Sequence, residues 1–208
     1  MTRFLIGLLT LVCWFSSANT HAEEMAEAEL YNLVRGSSNK ILNAMTVEGD
    51  AASKKEKIRG VLEEVLEPLV DFESISKAVM GKHYSMATEE QRKEFTNVLQ
   101  ETMVGLYTKV LVNFEIDELK VERPNLNSPF KGSVSMKVTA GNGAVYNIVY
   151  SVRQSPEGEW KVRNVILDGI NLGLTYRNQF YSAANSFNSD LDKVISTWGN
   201  DEKTASAN

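Results

Sequence analysis

Cysteine and histidine are scarce in this sequence. The 208 residues include one cysteine, Cys13, and two histidines, His21 and His83. Because Cys13 and His21 both lie in the first 22 residues, the rest of the chain has no thiol and a single imidazole. Disulfides and thiol catalysis are excluded there, and one histidine is too few for a typical zinc or iron site. We therefore expect no metal and no cofactor.

Nucleotide-binding motifs and an excess of positive charge are also missing. No dinucleotide or nucleotide motif is present, and Gly141-Asn142-Gly143 is too short for a phosphate loop and is better explained as a hairpin turn. Asp and Glu outnumber Lys and Arg by 27 to 22. This acidity disfavours nucleic acid as a partner and tight, nonspecific adhesion to an anionic membrane.

The first 22 residues have the features of a secretory signal. Arg3 precedes an apolar run from Phe4 to Phe15, and a small-residue site ends at Ala22. Cys13 lies inside the run rather than at its end, so we expect no lipid anchor there. We expect a signal peptide at 1–22, one domain at 23–199 and a disordered polar tail at 200–208. No other run is long enough to span a membrane.

Helical periodicity dominates the first half of the remaining chain. The apolar spacing between Glu23 and Met45 predicts a helix interrupted at Gly36, or two helices. A second apolar stripe, from Ile58 to Leu69, predicts a helix with one buried face that Pro68 kinks or stops.

Two capping signals follow. Asp71 is expected to cap a short helix that stops at Gly81. Thr88 and Gln91 form a capping box for the clearest helix of the sequence, about 25 residues long, which is long enough to cross a small domain.

In the second half of the chain, apolar and polar residues alternate with a period of two. Strands are predicted at Ile116 to Arg123, Lys131 to Thr139, Val145 to Arg153 and Glu159 to Leu167. Because the connections are short and rich in turn residues, these strands form an antiparallel meander. The expected fold class is α+β, a curved four-stranded antiparallel sheet packed on one face against several helices.

The last strand passes into a helix. Its alternation places Trp160, Val162 and Ile166 on one face and Val165 and Leu167 on the other. Asp168-Gly169 breaks the pattern, and Thr175 is predicted to cap a final helix that runs to about Trp198.

Candidate catalytic groups are few. His83 is expected on a loop as an ordinary surface or locally packed residue. The paired carboxylates Glu63-Glu64 and Glu89-Glu90 are helix neighbours that point in different directions. Asp168 is the only acid within an apolar run, and a turn contact explains it better than isomerase chemistry does.

Two blocks of the sequence carry a family resemblance. The first block is Asp71-Phe72, Gly81, Thr88 with Gln91-Arg92, Phe95 and Tyr107, and the second is Trp160-Lys161-Val162, Gly169-Ile170, Leu172 and Tyr176-Arg177-x-Gln179-Phe180. In order and spacing they resemble the MlaC family of periplasmic phospholipid-binding proteins, also called toluene-tolerance auxiliary proteins. The sequence departs from the family at Asn164, usually Asp, and at Asn171, usually Ser.

The resemblance implies a function as well as a fold. It implies a monomeric periplasmic carrier that shuttles phospholipid between the two membranes and maintains outer-membrane lipid asymmetry. The implied partners are an outer-membrane lipoprotein and porin complex and an inner-membrane substrate-binding protein with its ABC transporter. The alternative is a small periplasmic enzyme or small-ligand binder with a similar curved sheet.

The apolar residues on the helices and the sheet have two interpretations. From the pattern alone they form a plain hydrophobic core, whereas the resemblance implies that the layers enclose an apolar lipid cavity. On the second interpretation the expected lipid-binding residues are Val79, Leu106, Tyr107, Val110, Leu111, Met136, Val138, Tyr146, Ile148, Tyr150, Val162, Ile170, Leu172 and Phe180.

We predict that the exported protein begins at Glu23, because Ala22 ends the small-residue cleavage site. N-terminal sequencing of protein recovered from the periplasm measures this directly. A different first residue, or a lipid attached to Cys13, would contradict the prediction.

Overall fold

The structure, a computed structural model, describes residues 13–199. Residues 1–12 of the expected signal peptide and the expected tail at 200–208 lie outside this range. The described helices are α1 (Cys13–Met45), α2 (Ala51–Leu69), α3 (Phe72–Met80), a 3-10 helix (Gly81–Ser85), α4 (Glu89–Val112), α5 (Leu172–Ser186) and α6 (Leu191–Thr197). The strands are β1 (Ile116–Val121), β2 (Asn125–Ser128), β3 (Lys131–Ala140), β4 (Val145–Gln154), β5 (Trp160–Leu167) and β6 (Ile170–Asn171).

The predicted helices of the first half are present, with one correction. The helix predicted before Met45 is not interrupted, because α1 continues through Gly36, which lies on its exposed side. Pro68 lies in the last turn of α2, which ends one residue later. The capping box at Thr88 is confirmed, since its hydroxyl accepts from the Gln91 amide and the Gln91 side chain accepts from the Thr88 amide.

The sheet is antiparallel and confirms the predicted α+β class. The four predicted strands are β1, β3, β4 and β5, and the chain adds two short strands, β2 and β6. β3 alternates strictly, with Val134, Met136 and Val138 buried and Lys137 exposed. At β3, one face of the sheet is therefore covered and the other is polar, as expected for an antiparallel strand packed on one side only.

The edge beside β3 is formed by two segments. β1 pairs with the second half of β3, and β2 pairs with its beginning. Pro124 lies between these two segments and has no amide hydrogen to continue the ladder. The edge of the sheet is therefore interrupted at Pro124.

A bulge in β5 corrects the predicted faces of this strand. Ser151 pairs with Asn164 and Val152 pairs with Val162, so Arg163 is an extra residue in the ladder. The extra residue shifts the alternation by one. Val165 therefore shares the covered face with Trp160 and Val162, and Leu167 lies on the same side, while Ile166 lies on the opposite face.

Asp71 attaches the helices to this bulge. One oxygen, Oδ1, accepts from the Ser74 amide and caps α3 at 2.9 Å, as predicted, and the other, Oδ2, pairs with Nη2 of Arg163 at 2.8 Å. The Asp71 amide donates to the carbonyl of Val162 at 2.9 Å. Asp71 thus joins the start of α3 to the centre of β5.

The end of the chain differs from the prediction. Asn171, rather than Thr175, caps α5 by accepting from the Leu174 amide, and the Thr175 hydroxyl donates back to the Asn171 carbonyl. The single final helix is divided into α5 and α6. Asn188 and Ser189 between them have positive φ angles of 53° and 63°, which no α-helix accommodates.

We predict that Asp71→Asn lowers the free energy of unfolding by about 1–2 kcal/mol, because it leaves the Arg163 guanidinium without its charged partner while preserving a good N-cap residue. The matched control is Asp190→Asn, since Asp190 caps α6 and pairs with the exposed Lys193. Its effect should be clearly smaller, because this ion pair is exposed and screened by solvent, and Asn also remains a good N-cap residue. Urea unfolding of both variants measures the difference, and equal losses would contradict a special role for the Asp71–Arg163 pair.

Candidate apolar ligand site

The buried apolar residues form three separate clusters. One contains residues of α3, α4, α5 and α6, the second joins α1 to the sheet, and the third joins the end of α1 to α2 and α4. The side chains that touch two clusters at once are themselves only partly buried: Leu66, Val70, Tyr107, Phe114 and Ile116. A closely packed domain of this size usually has one continuous core. We call the region around these five side chains the interlayer site.

The environment of Tyr150 shows how the interior of this region is packed. Its hydroxyl lies deep between the sheet and α4, and burial raises the pKa of Tyr150 above its ordinary value, with the nearby Tyr107 as a smaller cause. The Tyr150 side chain nevertheless keeps accessible surface. Tyr150 is therefore enclosed by protein without being fully packed, which makes it a candidate wall residue of the interlayer site.

Several predicted lipid-binding residues converge on this region from the sheet. Tyr146, Ile148 and Tyr150 of β4 are partly accessible, and each is paired with a buried residue of β3, respectively Val138, Met136 and Val134. The rings of Tyr146 and Phe114 pack edge to face, 5.7 Å apart. On the same face of β4, Val152 is buried, in contrast to these three residues. The covered face of the sheet is therefore more open at the Tyr146 end of β4.

Other predicted residues lie elsewhere. Val79 and Phe180 have no accessible surface and belong to the four-helix cluster with Phe95. Leu172 packs at the edge of that cluster. Ile170 is 60% exposed and Val110 is 48% exposed. The predicted residues that remain at the site are Tyr107, Leu111, Met136, Val138, Tyr146, Ile148, Tyr150 and Val162.

Sequence patterns did not reveal all the residues of the interlayer site. Val165 faces the site only because of the bulge at Arg163, and strict alternation assigned it to the other face. Phe114 ended the apolar stripe of the long predicted helix, so that stripe was a signal for it, whereas Ile116 begins β1 and no periodicity assigned it a face. Leu66 was already part of the apolar stripe of α2, and that stripe was the signal that could have found it.

The start of α5 is fixed by the two asparagines at which the sequence departs from the family pattern. The Oδ1 atom of Asn164 accepts from the Gly173 amide at 3.1 Å, and that of Asn171 accepts from the Leu174 amide at 3.0 Å. A side chain at Gly173 would collide with Asn164. These contacts tie the beginning of α5 to β5 beside the open end of the covered face.

A separate groove lies on the outer side of α4. It has a volume of about 670 Å³ and is lined by Arg59, Glu101, Lys109 and Trp198 among others, and of the predicted lipid-binding residues only Leu106 contributes to it. The groove is half open to solvent and its wall carries charges. It therefore lacks the enclosure that acyl chains require, and we assign the interlayer site instead.

The candidate catalytic groups have structural roles. Oδ1 of Asp168 accepts from the Asn147 amide at 2.8 Å, which confirms a turn contact. Glu63 pairs with Arg59 and Glu64 with Lys40, so these neighbouring carboxylates do point apart.

His83 is a locally packed residue, but it lies in the 3-10 helix rather than on a loop. The side chain is 3% exposed, and its ring contacts those of Phe180 and Tyr181 at centroid distances of 5.9 and 5.4 Å. Neither ring nitrogen has a hydrogen-bond partner among the described residues. Burial lowers the pKa of His83, and the positive charge of Lys82 adds to the effect.

The fold and the site together define a class of protein, an α+β domain with an accessible apolar region between its sheet and its helices. Within that class, the profile of the MlaC protein family matches residues 35–200. The chain belongs to the MlaC family, which confirms the resemblance seen in the sequence.

Individual relatives agree with this membership. The chain is 34% identical over 200 residues to the toluene tolerance protein ttg2D of Pseudomonas putida, covering 92% of this chain and 87% of the relative. It is 21% identical over 152 residues to the intermembrane phospholipid transport system binding protein MlaC of Haemophilus influenzae, covering 71% of each. A phospholipid-binding protein of Ralstonia solanacearum, solved with a phospholipid bound, has the same fold, with a TM-score of 0.68 at 23% identity over 84% of this chain and 96% of that one.

Two features are absent from residues 13–199. None of the helices in this range combines the length and the apolar character needed to cross a membrane. Within the same range, no three His, Cys, Asp or Glu side chains are grouped so as to hold a metal ion.

We predict that His83 makes the stability of the folded protein depend on pH. Because burial lowers its pKa, the unfolded chain binds the proton more readily than the folded one. This contribution to stability is complete above the ordinary histidine pKa of about 6.5 and is lost as the pH falls from there through the lowered folded pKa.

The variant His83→Phe should remove this dependence. Wild type should lose stability relative to the variant as the pH falls below about 6.5, and the difference should be constant at higher pH. Urea unfolding across this range measures the effect. A chain that starts at Glu23 has no other histidine, so identical slopes for the two proteins would refute the assignment.

Proposed function

We propose that this chain is a periplasmic phospholipid carrier that holds acyl chains at the interlayer site. The observation that carries the proposal is the division of the apolar interior into three clusters, with partly accessible side chains between them. The family and the phospholipid-binding relatives support the choice of ligand.

The energetics require enclosure. At about 0.8 kcal/mol per buried methylene, one acyl chain of about 16 carbons is stabilised by on the order of 13 kcal/mol when it leaves water. A carrier must cover most of that surface, and release must occur where a membrane or another protein offers an equivalent apolar environment. The carrier itself then needs no nucleotide or metal.

The proposed pathway joins the two membranes. The carrier exchanges phospholipid with two partners. One is an outer-membrane lipoprotein and porin complex, and the other is an inner-membrane substrate-binding protein with its ABC transporter. This exchange maintains outer-membrane lipid asymmetry. We propose no catalytic activity, since Asp168, Glu63 and Glu64 are held in structural contacts. The alternative, an enzyme or small-ligand binder, would use the same apolar space for a smaller molecule.

Solvent extraction followed by mass spectrometry of the purified protein tests the proposal. We expect phospholipid in stoichiometric amount, and treatment with a metal chelator should not reduce it. Lipid-free protein that carries a small polar ligand would refute the carrier and favour the alternative.

Two valines beside Tyr150 provide a matched pair of variants for the same measurement. Val165 on β5 is partly accessible, whereas Val134 on β3 is fully buried. Val165→Trp should fill the site, lower bound phospholipid several-fold and melt close to lipid-free wild type. Val134→Trp should overpack the core and cost about 1–3 kcal/mol of stability. If Val165→Trp retains full lipid and is strongly destabilised, the interlayer site is ordinary core.

A further inference from the structure

A group of cations and tyrosines lies on the surface where α3, the 3-10 helix, α4 and α5 meet. We call it the basic-aromatic patch, and it consists of Lys77, Lys82, Tyr84, Arg92, Arg177 and Tyr181. None of these residues contributes to the interlayer site.

Tyr84 is held between two cations. The Arg92 guanidinium lies over its ring at 4.5 Å from the centroid, and the Lys77 ammonium lies at 5.3 Å. The Arg92 side chain is fixed in this position, because its Nε donates to the Tyr84 carbonyl at 2.9 Å. Cations near an aromatic ring are stabilised without losing their charge.

Tyr181 repeats this arrangement. The Arg177 guanidinium and the Lys82 ammonium lie 5.4 and 5.7 Å from its ring centroid. Its hydroxyl accepts from the Lys82 amide at 3.2 Å and from Nη2 of Arg177 at 3.3 Å. A side chain at Gly81 would collide with this hydroxyl, and the φ of 53° at Gly81 independently favours glycine. Both tyrosines are therefore held in fixed positions.

The charges of the patch are not neutralised. Ion pairs between described residues involve other cations, and none includes Lys77, Lys82, Arg92 or Arg177. The chain as a whole is acidic, with a formal net charge of −5. Four unpaired cations gathered on one surface of an acidic protein create a local field that attracts and orients an anionic partner.

Two exposed apolar side chains adjoin the patch. Met86 is 67% exposed and follows the 3-10 helix, and Leu174 is 54% exposed, one turn before Arg177 on the same side of α5. Tyrosine, arginine and methionine are the residue types enriched at the centres of protein interfaces.

The arrangement distinguishes a protein partner from two other anionic ligands. A phosphate site gathers donors around one point, whereas these cations are divided between two rings. An anionic membrane repels the acidic chain as a whole over long range, while a protein with a local acidic surface matches the patch alone.

We propose that the basic-aromatic patch is a docking surface for an acidic surface of a partner protein that exchanges lipid with this chain. The proposal rests on the proposed carrier function, which identifies phospholipid as the molecule exchanged. The patch lies near the start of α4, whereas Phe114 and the open end of the interlayer site lie at the other end of this helix, so a docked partner must reach along the protein to receive the lipid.

The test compares two double charge reversals that change the net charge equally. Lys82→Glu with Arg177→Glu alters the patch, and Lys57→Glu with Lys131→Glu alters two exposed lysines outside it that form no ion pair among the described residues. Each protein is first checked for its melting temperature and bound phospholipid. Binding is then measured to the purified inner-membrane substrate-binding protein, to the outer-membrane complex, and to vesicles of phosphatidylethanolamine and phosphatidylglycerol.

We expect the patch variant to stay folded, keep its phospholipid and lose at least about tenfold in affinity for one of the two partners, with a weaker dependence on salt. The control variant should bind like wild type. The proposal is overturned if the patch variant keeps its affinity for both partners, or if the control variant loses as much affinity. It is also overturned if the loss is confined to vesicles, or if wild type binds neither partner. Absence of phospholipid from wild type would instead refute the carrier function, which the extraction measures separately.

Discussion

The contact between Asp71 and the bulge of β5 is the constraint on which the arrangement of the layers depends. One carboxylate begins α3 and holds Arg163, while its backbone amide joins the ladder at Val162. The α2–α3 connection is also held to β5 by the Lys161 ammonium, which donates to the Pro68 carbonyl at 2.7 Å, and by the bridge between Val70 and Val162. The same bulge turns Val165 toward the helices, so one local irregularity both anchors the helices and shapes the interior that they cover.

The interior that results is packed unevenly. Around Leu30 and Val134 the first helix lies directly on the sheet, and around Phe95 and Phe180 four helices close on one another. The interlayer site lies between these well-packed regions, and Tyr107 and Tyr150 approach each other there while both stay partly accessible. On the proposed carrier function, rigid regions on either side keep the lipid site from collapsing, which a uniformly soft core would not do.

Much of the fold could be predicted from sequence because local chemistry specifies it. Capping residues at Asp71 and Thr88 and the alternation of β3 determined element ends and a sheet face with no help from distant contacts. The errors arose where distant contacts decide. Asn171 displaced Thr175 as the cap because the chain first pairs with β5 at Ile170 and Asn171, and Val165 changed faces because Arg163 is drawn out of the ladder toward Asp71. Periodicity likewise identified apolar faces but not how closely they pack, since no local pattern distinguishes a filled interior from an unfilled one.

The interruption of the outer strand at Pro124 has a consequence for solubility. A sheet edge is a template on which another extended chain can add, and the risk of aggregation grows with the length of uninterrupted edge. Here the two edge segments contain six and four residues, and Lys120 and Arg123 near their junction place charges along the edge. Two copies approaching edge to edge would find no long register in which to pair. This edge of the sheet therefore offers a second copy of the chain only short segments on which to add.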